Sequence, residues 1–350
     1  MESSVTSKKD ITIYDLAKDL HISPATVSRA LNDHPSVNKN TKKRIFTRAQ
    51  ELGYQSNTFA SNLRRKHTNT IGVIVPHLNS VFMSSVIAGM EKVANAAGFT
   101  LLISQSLETT QKEVSNAHTL FNSRVDGLLV SLAFDTENIN HFEPFIKKGI
   151  PLIFFDRVFD DKRCTSIVID NVKAGYEATS HLIRQGCRQI IHITNKLNLN
   201  VYADRLRGYQ LALLENKIPF EEKNLIITNL SDEEDRTAVA RQLLERRPLP
   251  EAIFAANDAV AVSCMRVLKQ AGVRIPQDIA IVGFNDEVIA MVIEPNLTTI
   301  HNPGYEMGEI AVRHLINHLT GSQDINTTNA IILRSDLVIR ESSLANRQTE

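Results

Sequence analysis

Two groups of side chains in this chain have the types and spacing to recognise a partner. The first lies in the segment SPATVSRALN, residues 23–32. At helical spacing Val27, Ala30 and Leu31 face one way, leaving Pro24, Ala25, Ser28 and Arg29 free to touch something else. The second group is polar and follows short apolar runs: His77, Asn79 and Phe82, then Asp156 and Arg157, then Asn257 and Asp258, then Asn285 and Asp286. Asp, Asn and Arg with one aromatic suit a polyhydroxylated ligand, because they fix hydroxyl groups and cover an apolar ring face. Asn and Asp at strand-to-helix turns serve equally well as helix caps. Asp156 and Arg157 have no helix evident after them and favour a site. His314 and His318 have the i, i+4 spacing that can chelate zinc, but they lack the Glu of H-E-x-x-H and read better as a surface or interface pair.

The elements around the first group are legible residue by residue. Thr12 and Asp15 make a capping-box pattern, and Ile13, Leu16, Ala17 and Leu20 recur at helical spacing after it. The chain turns through His21 and Ile22, and a serine cap followed by proline at the first helical position starts a second helix. Two short helices joined in this way read as a helix-turn-helix, which lays its second helix in the DNA major groove. An ordinary helical hairpin is the alternative. A third amphipathic segment, residues 38–52, carries Lys39, Lys42, Lys43, Arg44 and Arg48 around Ile45, Ala49 and Leu52, with Gly53 in the place of a C-terminal cap. A helix-compatible run at 56–63 then precedes Arg64, Arg65 and Lys66. Residues 1–68 hold 12 Lys and Arg against 6 Asp and Glu, while the remaining 282 residues hold 27 against 33. The neutral total hides a basic head on an acidic body, the electrostatic footprint of a nucleic-acid binder.

The elements around the second group alternate between strand and helix. Apolar strands at 71–75, 99–103, 127–130 and 151–155 are separated by helices at 82–97, 109–122 and 137–148, and a second set begins near 167–169. It continues with helices at 172–185, 202–216, 234–246 and 258–271 and strands at 190–193, 225–227, 252–255 and 279–283, before a last helix at 304–319 and strands near 330–339. Such alternation argues for parallel sheets with right-handed crossovers. About ten strands exceed one comfortable open sheet, so two lobes facing across a cleft are expected, with polar residues at the strand ends lining it. With 43% hydrophobic and 22% charged residues, the 350-residue chain has a soluble globular composition. No apolar run spans a bilayer and the N-terminus lacks a secretory segment. Cys164, Cys187 and Cys264 have no ligand spacing and fit a reducing cytoplasm.

In order along the chain stand the motif at 11–32, the hinge-like ASNLR at 60–64, the strand at 71–75 leading to NSVF at 79–82, VGFND at 282–286 and LTTI at 297–300. On these residues the chain resembles the lactose-repressor/galactose-repressor family of bacterial transcription regulators, over about residues 11–342. The resemblance implies a small all-α helix-turn-helix head at 1–55, a hinge helix and linker at 56–69, and a core at 70–342 of two doubly wound α/β lobes resembling periplasmic sugar-binding proteins. The N-lobe is expected at about 70–165 plus 301–325, the C-lobe at about 166–300 plus 326–342, and a tail at 343–350. The resemblance further implies a homodimer on double-stranded operator DNA, with a small effector in the cleft altering operator affinity.

Carried over by position, Pro24, Ala25 and Arg29 match the base-reading positions of the family. A guanidinium can bond the O6 and N7 of one guanine together, whereas Pro24 and Ala25 offer only apolar contact. Ser23, Thr26 and Ser28 would serve phosphates, and Thr12, Asn32, Asn57 and Arg64 complete the expected DNA-contacting set. Leu63 matches the leucine that the family drives into the minor groove. Phe82, Asp156, Arg157, Arg205 and Asn285 fall on or near effector positions, with Asn79, Met83, Asn257 and Asp258 completing the expected pocket. Residues 198–201 match no pattern and leave part of the pocket wall unassigned. A sugar or sugar phosphate is the favoured effector and a nucleobase the alternative; no cofactor, metal or membrane partner is expected. The chain carries no G-x-G-x-x-G after its first strand, no phosphate-cradling G-x-x-x-x-G-K and no G-x-S-x-G, which argues against an enzyme. A transport-class binding protein would share the core, but it would need an export signal and would have no basic head.

Overall fold

Local capping signals in the head become real caps. The computed structural model describes residues 11–54, 67–229 and 232–344, in two units that divide between Thr68 and Asn69. The first unit holds α1 (Ile13–Asp19), α2 (Pro24–Leu31) and α3 (Lys39–Leu52). The Thr12 hydroxyl accepts from Asp15 N at 3.3 Å while the Asp15 carboxylate accepts from Thr12 N at 2.8 Å, so the capping box closes in both directions. Asn38 caps α3 through Thr41 N at 2.8 Å, and Gly53, at φ +68°, ends it in the left-handed conformation. Leu16, Val27, Ala30 and Ile45 are fully buried between the three helices. Each large apolar side chain buried this way stabilises by about 1.5–3 kcal/mol, enough in sum to hold a unit of this size.

The second unit contains two six-stranded sheets. Its strands are β1 (Thr70–Val75), β2 (Thr100–Gln105), β3 (Gly127–Val130), β4 (Leu152–Phe155), β5 (Thr165–Ile169), β6 (Ile190–Thr194), β7 (Leu225–Ile227), β8 (Ala252–Ala255), β9 (Ala280–Asn285), β10 (Thr298–His301), β11 (Ala330–Leu333) and β12 (Asp336–Val338). Its helices are α4 (Val81–Ala96), α5 (Thr110–Asn122), α6 (Glu143–Lys147), α7 (Asn171–Arg184), α8 (Asn200–Glu215), α9 (Glu233–Glu245), α10 (Asp258–Gln270), α11 (Ile289–Val292) and α12 (Gly304–Leu319). The N-lobe sheet runs β11-β5-β4-β3-β1-β2 and is parallel throughout. The C-lobe sheet runs β12-β10-β9-β8-β6-β7, with only β12 antiparallel. Both lobes repeat one strand order, so each has a topological switch point, at β1/β3 and at β6/β8. Ligands of open α/β sheets bind outside the carboxyl ends of strands at such points.

The central strands β3, β4, β6 and β8 are buried along their whole length, as parallel strands covered on both faces must be. Three expectations need correction. The lobe boundary does not fall at 165/166: β5 pairs with β4, and β11 returns to pair with β5, so residues 165–169 and 330–333 belong to the N-lobe. An apolar strand looks the same whichever sheet it joins, and only pairing decides. The expected helix at 137–148 shrinks to a 3-10 turn at Asn140–Phe142 and the five residues of α6, because the Asn138 side chain accepts Asn140 N and competes with helical bonding. Among the described residues twelve strands form, against the expected ten or so. Among the described residues no helix is long and apolar enough to cross a membrane.

Candidate nucleic-acid interface and ligand cleft

In the head, α2 turns Val27 and Ala30 into the core and leaves Pro24, Ala25 and Arg29 exposed. Ser23 caps the helix: its hydroxyl accepts Thr26 N at 3.1 Å and lies 2.8 Å from the Thr26 hydroxyl, so a phosphate would share these two groups with the cap. Ser28 is half-buried, and its carbonyl accepts from the Asn32 side-chain amide at 2.8 Å. The basic residues divide into two sets. Arg48 pairs with Asp19 at 2.6 Å and Glu51 at 2.8 Å, Lys42 pairs with Asp33 at 2.6 Å, and Arg44 donates to the Leu20 carbonyl. The Arg48 hydrogen bond holds the Asp19 carboxyl below its usual range. Arg29, Lys39 and Lys43 are exposed and make no ion pair among the described residues, so their charge faces solvent. Asn57, Leu63 and Arg64 lie outside the described residues.

In the core, the geometry brings Asp156, Arg157 and Arg205 together across the two lobes. Arg205 is buried on α8. Its Nε donates to Asn171 Oδ1 at 2.9 Å, its Nη1 donates to the Ala256 carbonyl at 2.8 Å, and the guanidinium lies 3.4 Å over the Phe284 ring. Close helix packing sets this position: a Cβ on Gly175 would lie 2.3 Å from the Arg205 carbonyl oxygen, and one on Gly208 would lie 2.1 Å from that of Val172. Burial pushes the Arg205 pKa down to about 10. Arg157, following β4, gives Nη1 to both oxygens of Glu108 at 2.9 and 2.7 Å and Nη2 to the Tyr202 hydroxyl at 3.3 Å. Burial works to lower its pKa, but Tyr202, Glu108 and Asp156 outweigh that and raise it. Asp156 is buried at φ +57°, and its carboxylate accepts no hydrogen bond among the described residues. Burial raises its pKa against the pull of Arg157 and Arg205.

The unassigned segment before Arg205 is the part of the C-lobe that reaches across. Asn200 donates to the Asp156 carbonyl at 3.0 Å and accepts Val158 N at 3.0 Å, and Asn198 donates to the Phe134 carbonyl. Glu108, Asn171, Asn200 and Tyr202 were missed because their roles depend on tertiary approach. The Ser131 and Thr194 hydroxyls, buried without a partner just after β3 and at the end of β6, obey the strand-end rule that finds Asp156 and could have been found by it.

Of the other expected pocket residues, Asn257 and Asn285 directly follow Ala256 and Phe284, the two groups that Arg205 engages on the C-lobe sheet. Asn79 is exposed before α4, while Phe82 and Met83 point into the N-lobe core, with the Phe82 ring against Gly304. Asn257 is an N-cap, accepting Val260 N at 2.8 Å. The expectation that Asp258 contacts ligand is corrected. It is fully buried, accepts the Thr299 hydroxyl at 2.6 Å and Glu287 N at 2.8 Å, and ties α10 to the far ends of β9 and β10. Burial pushes its pKa up to about 7. Asn285, at φ +110°, stands at the end of β9 with its side chain 3.4 Å from that of Asn302. His314 is buried, and His318 Nδ1 accepts Ile325 N at 3.2 Å. Away from the cleft, a C-lobe cavity of about 650 Å³ is edged by Lys269, Arg274 and Glu294; Arg274 pairs with Asp278, and Lys269 donates to the Glu294 carbonyl.

Comparison with known proteins bears on both units. Residues 12–57 match the family model "Bacterial regulatory proteins, lacI family", and residues 179–343 match "Periplasmic binding protein-like domain". The ribose operon repressor of Haemophilus influenzae is 31% identical over 95% of this chain and 98% of its own length. The HTH-type transcriptional regulator RegA of Clostridium saccharobutylicum is 30% identical over 95% and 99%. Among solved structures, the lac repressor dimer bound to operator and the anti-inducer ONPF superposes with a TM-score of 0.85 at 26% identity, over 96% of this chain and all of that one.

Proposed function

The chain belongs to the lacI family of bacterial regulatory proteins, and on that premise we propose that it is a homodimeric repressor whose hold on operator DNA is set by a small effector bound between its core lobes. Its relatives are transcription regulators, not enzymes. The head would lay α2 in the major groove, Arg29 reading a guanine edge while Pro24 and Ala25 make apolar contact. The effector is a sugar or a sugar phosphate, with a nucleobase as the alternative, and the protein works in the cytoplasm where its operator lies. Self-association is supported by apolar side chains left exposed in both lobes: Leu102 and Ile103 on the edge strand β2, and Val288, Met291 and Val292 in and beside α11.

The observation that carries the effector half is Asp156, a buried residue whose carboxylate feels the charge of both Arg157 and Arg205 and accepts no hydrogen bond among the described residues. A carboxylate is an acceptor only, and the hydroxyls of a sugar are donors that suit it. Where operator also binds the open and closed lobes unequally, a ligand that prefers one form changes operator affinity by the same factor by which operator changes its own. Operator binding followed by fluorescence anisotropy, with a panel of pentoses, hexoses, their phosphates and nucleobases, tests this reading. Asp156→Asn should keep operator affinity and lose the ligand response; a variant that responds like the wild type contradicts it.

A further inference from the structure

We propose that Glu108 is a specificity-determining residue that occupies Arg157 and makes the cleft refuse phosphorylated ligands in favour of uncharged polyhydroxylated ones. The inference rests on the reading of the cleft as an effector site and narrows its ligand class. A guanidinium at the end of a parallel strand would ordinarily be the natural anchor for a phosphate. Here one of its nitrogens is chelated by both Glu108 oxygens at 2.9 and 2.7 Å, and another is taken by the Tyr202 hydroxyl at 3.3 Å. The second guanidinium, Arg205, gives Nε to Asn171 and Nη1 to the Ala256 carbonyl and lies over the face of Phe284. Asp156, Glu108, Arg157 and Arg205 together sum to zero formal charge. A dianion approaching Arg157 would have to displace Glu108 or leave its charge unpaired there, and unpaired buried charge is strongly disfavoured.

The backbone gives independent support. Leu107 and Glu108 are the two central residues of a turn closed by Thr109 N to the Ser106 carbonyl at 3.1 Å, and both are left-handed, at φ +51° and +59°. Glycine and asparagine normally fill such positions. Neither leucine nor glutamate does so without strain, and a strained non-glycine residue persists only where its surroundings over-determine it. What holds Glu108 there is its carboxylate, which accepts Phe134 N at 3.1 Å as well as the guanidinium of Arg157. Its placement aims a negative charge at Arg157.

The test is calorimetric titration of the full chain with inorganic phosphate at constant ionic strength, comparing wild type, Glu108→Gln and Glu108→Ala. Because the basic head also attracts phosphate, each protein is paired with its Arg157→Gln counterpart, and only binding lost in that background is assigned to the cleft. Wild type should show no cleft binding, and releasing Arg157 should tighten phosphate by at least about tenfold, the effect of one strong charge contact. Arg157-dependent phosphate binding by wild type would overturn the proposal. So would the absence of any gain in whichever Glu108 variant keeps the wild-type melting curve. The titration uses neither DNA nor an identified effector, so it can fail while the regulatory reading stands, and the reverse.

Discussion

Replacing Arg205 with methionine asks whether the buried cation of the cleft is held by its own lobe. The guanidinium donates to Asn171 Oδ1 and the Ala256 carbonyl and covers Phe284 at 3.4 Å. Methionine refills the aliphatic stem but donates nothing, leaving two buried acceptors unpaired at about 1–3 kcal/mol each. Loss of the cation from the ring face adds about 1 kcal/mol, bringing the gross loss to roughly 5. Burying the charge is itself unfavourable, as the pKa of about 10 records; removing it returns on the order of 3 kcal/mol. The net expectation is a destabilisation of about 2 kcal/mol, read as a lowered urea midpoint at unchanged slope. Arg205→Lys should lose a similar amount, because an ammonium cannot reproduce the fork that reaches both acceptors. An unchanged or raised midpoint in both variants would refute the reasoning, and would mean that the bonds to Asn171 and Ala256 carry no net stability.

Two further substitutions test the core. Asp258 has its pKa raised from 3.8 to about 7, so the native state holds its proton more tightly than the unfolded chain does. Its contribution is present below pH 4 and lost as pH rises through 7, an effect on the order of 4 kcal/mol. Asp258→Asn should therefore flatten the fall in stability between pH 4 and 7 in urea melts, and an identical pH profile would contradict the assignment. Asn200→Ala removes a side chain that pairs both the Asp156 carbonyl and Val158 N across the lobes, leaving groups whose loss costs about 1–3 kcal/mol. Spin labels on the two lobes should report a broadened distance distribution in the variant, and an unchanged one would show that the Asn200 bonds do not set the spacing of the lobes.

The parts of this molecule legible from sequence are those in which the signal and its consequence lie a few residues apart. Thr12 with Asp15, Ser23 with Pro24, and Gly53 each act on their own helix end, and each end falls where these residues place it. The alternation of apolar strands and helices likewise carries the layered architecture. Asp156 and Arg157 stand out as candidate site residues because charged neighbours ending an apolar strand have little structural reason to be there. Where a residue's role is fixed by what approaches it from elsewhere, periodicity is silent. Arg205 begins no strand and caps no helix, and only the close packing of α7 on α8 brings it to Asn171 and Ala256. Glu108 reads as an ordinary loop acid until Arg157 is placed opposite. Asp258 shows the opposite error, because a strand-end position predicts polar chemistry without saying whether it faces the cleft or the lobe's own interior. The sheet to which β5 belongs is likewise decided by pairing, which an apolar pattern does not encode.

The central claim, that this protein reads DNA sequence through α2, is tested most directly by selecting duplexes from a random pool with the full chain and comparing wild type with Arg29→Ala. A homodimer should enrich a two-fold symmetric site, one half for each head. On that site Arg29→Ala should cost about 1–3 kcal/mol and relax the preference at a single base pair of each half-site, leaving the other positions as selective as before. Enrichment of no common sequence by the wild type, or a loss of affinity in the variant that is uniform over all sequences, would contradict the account.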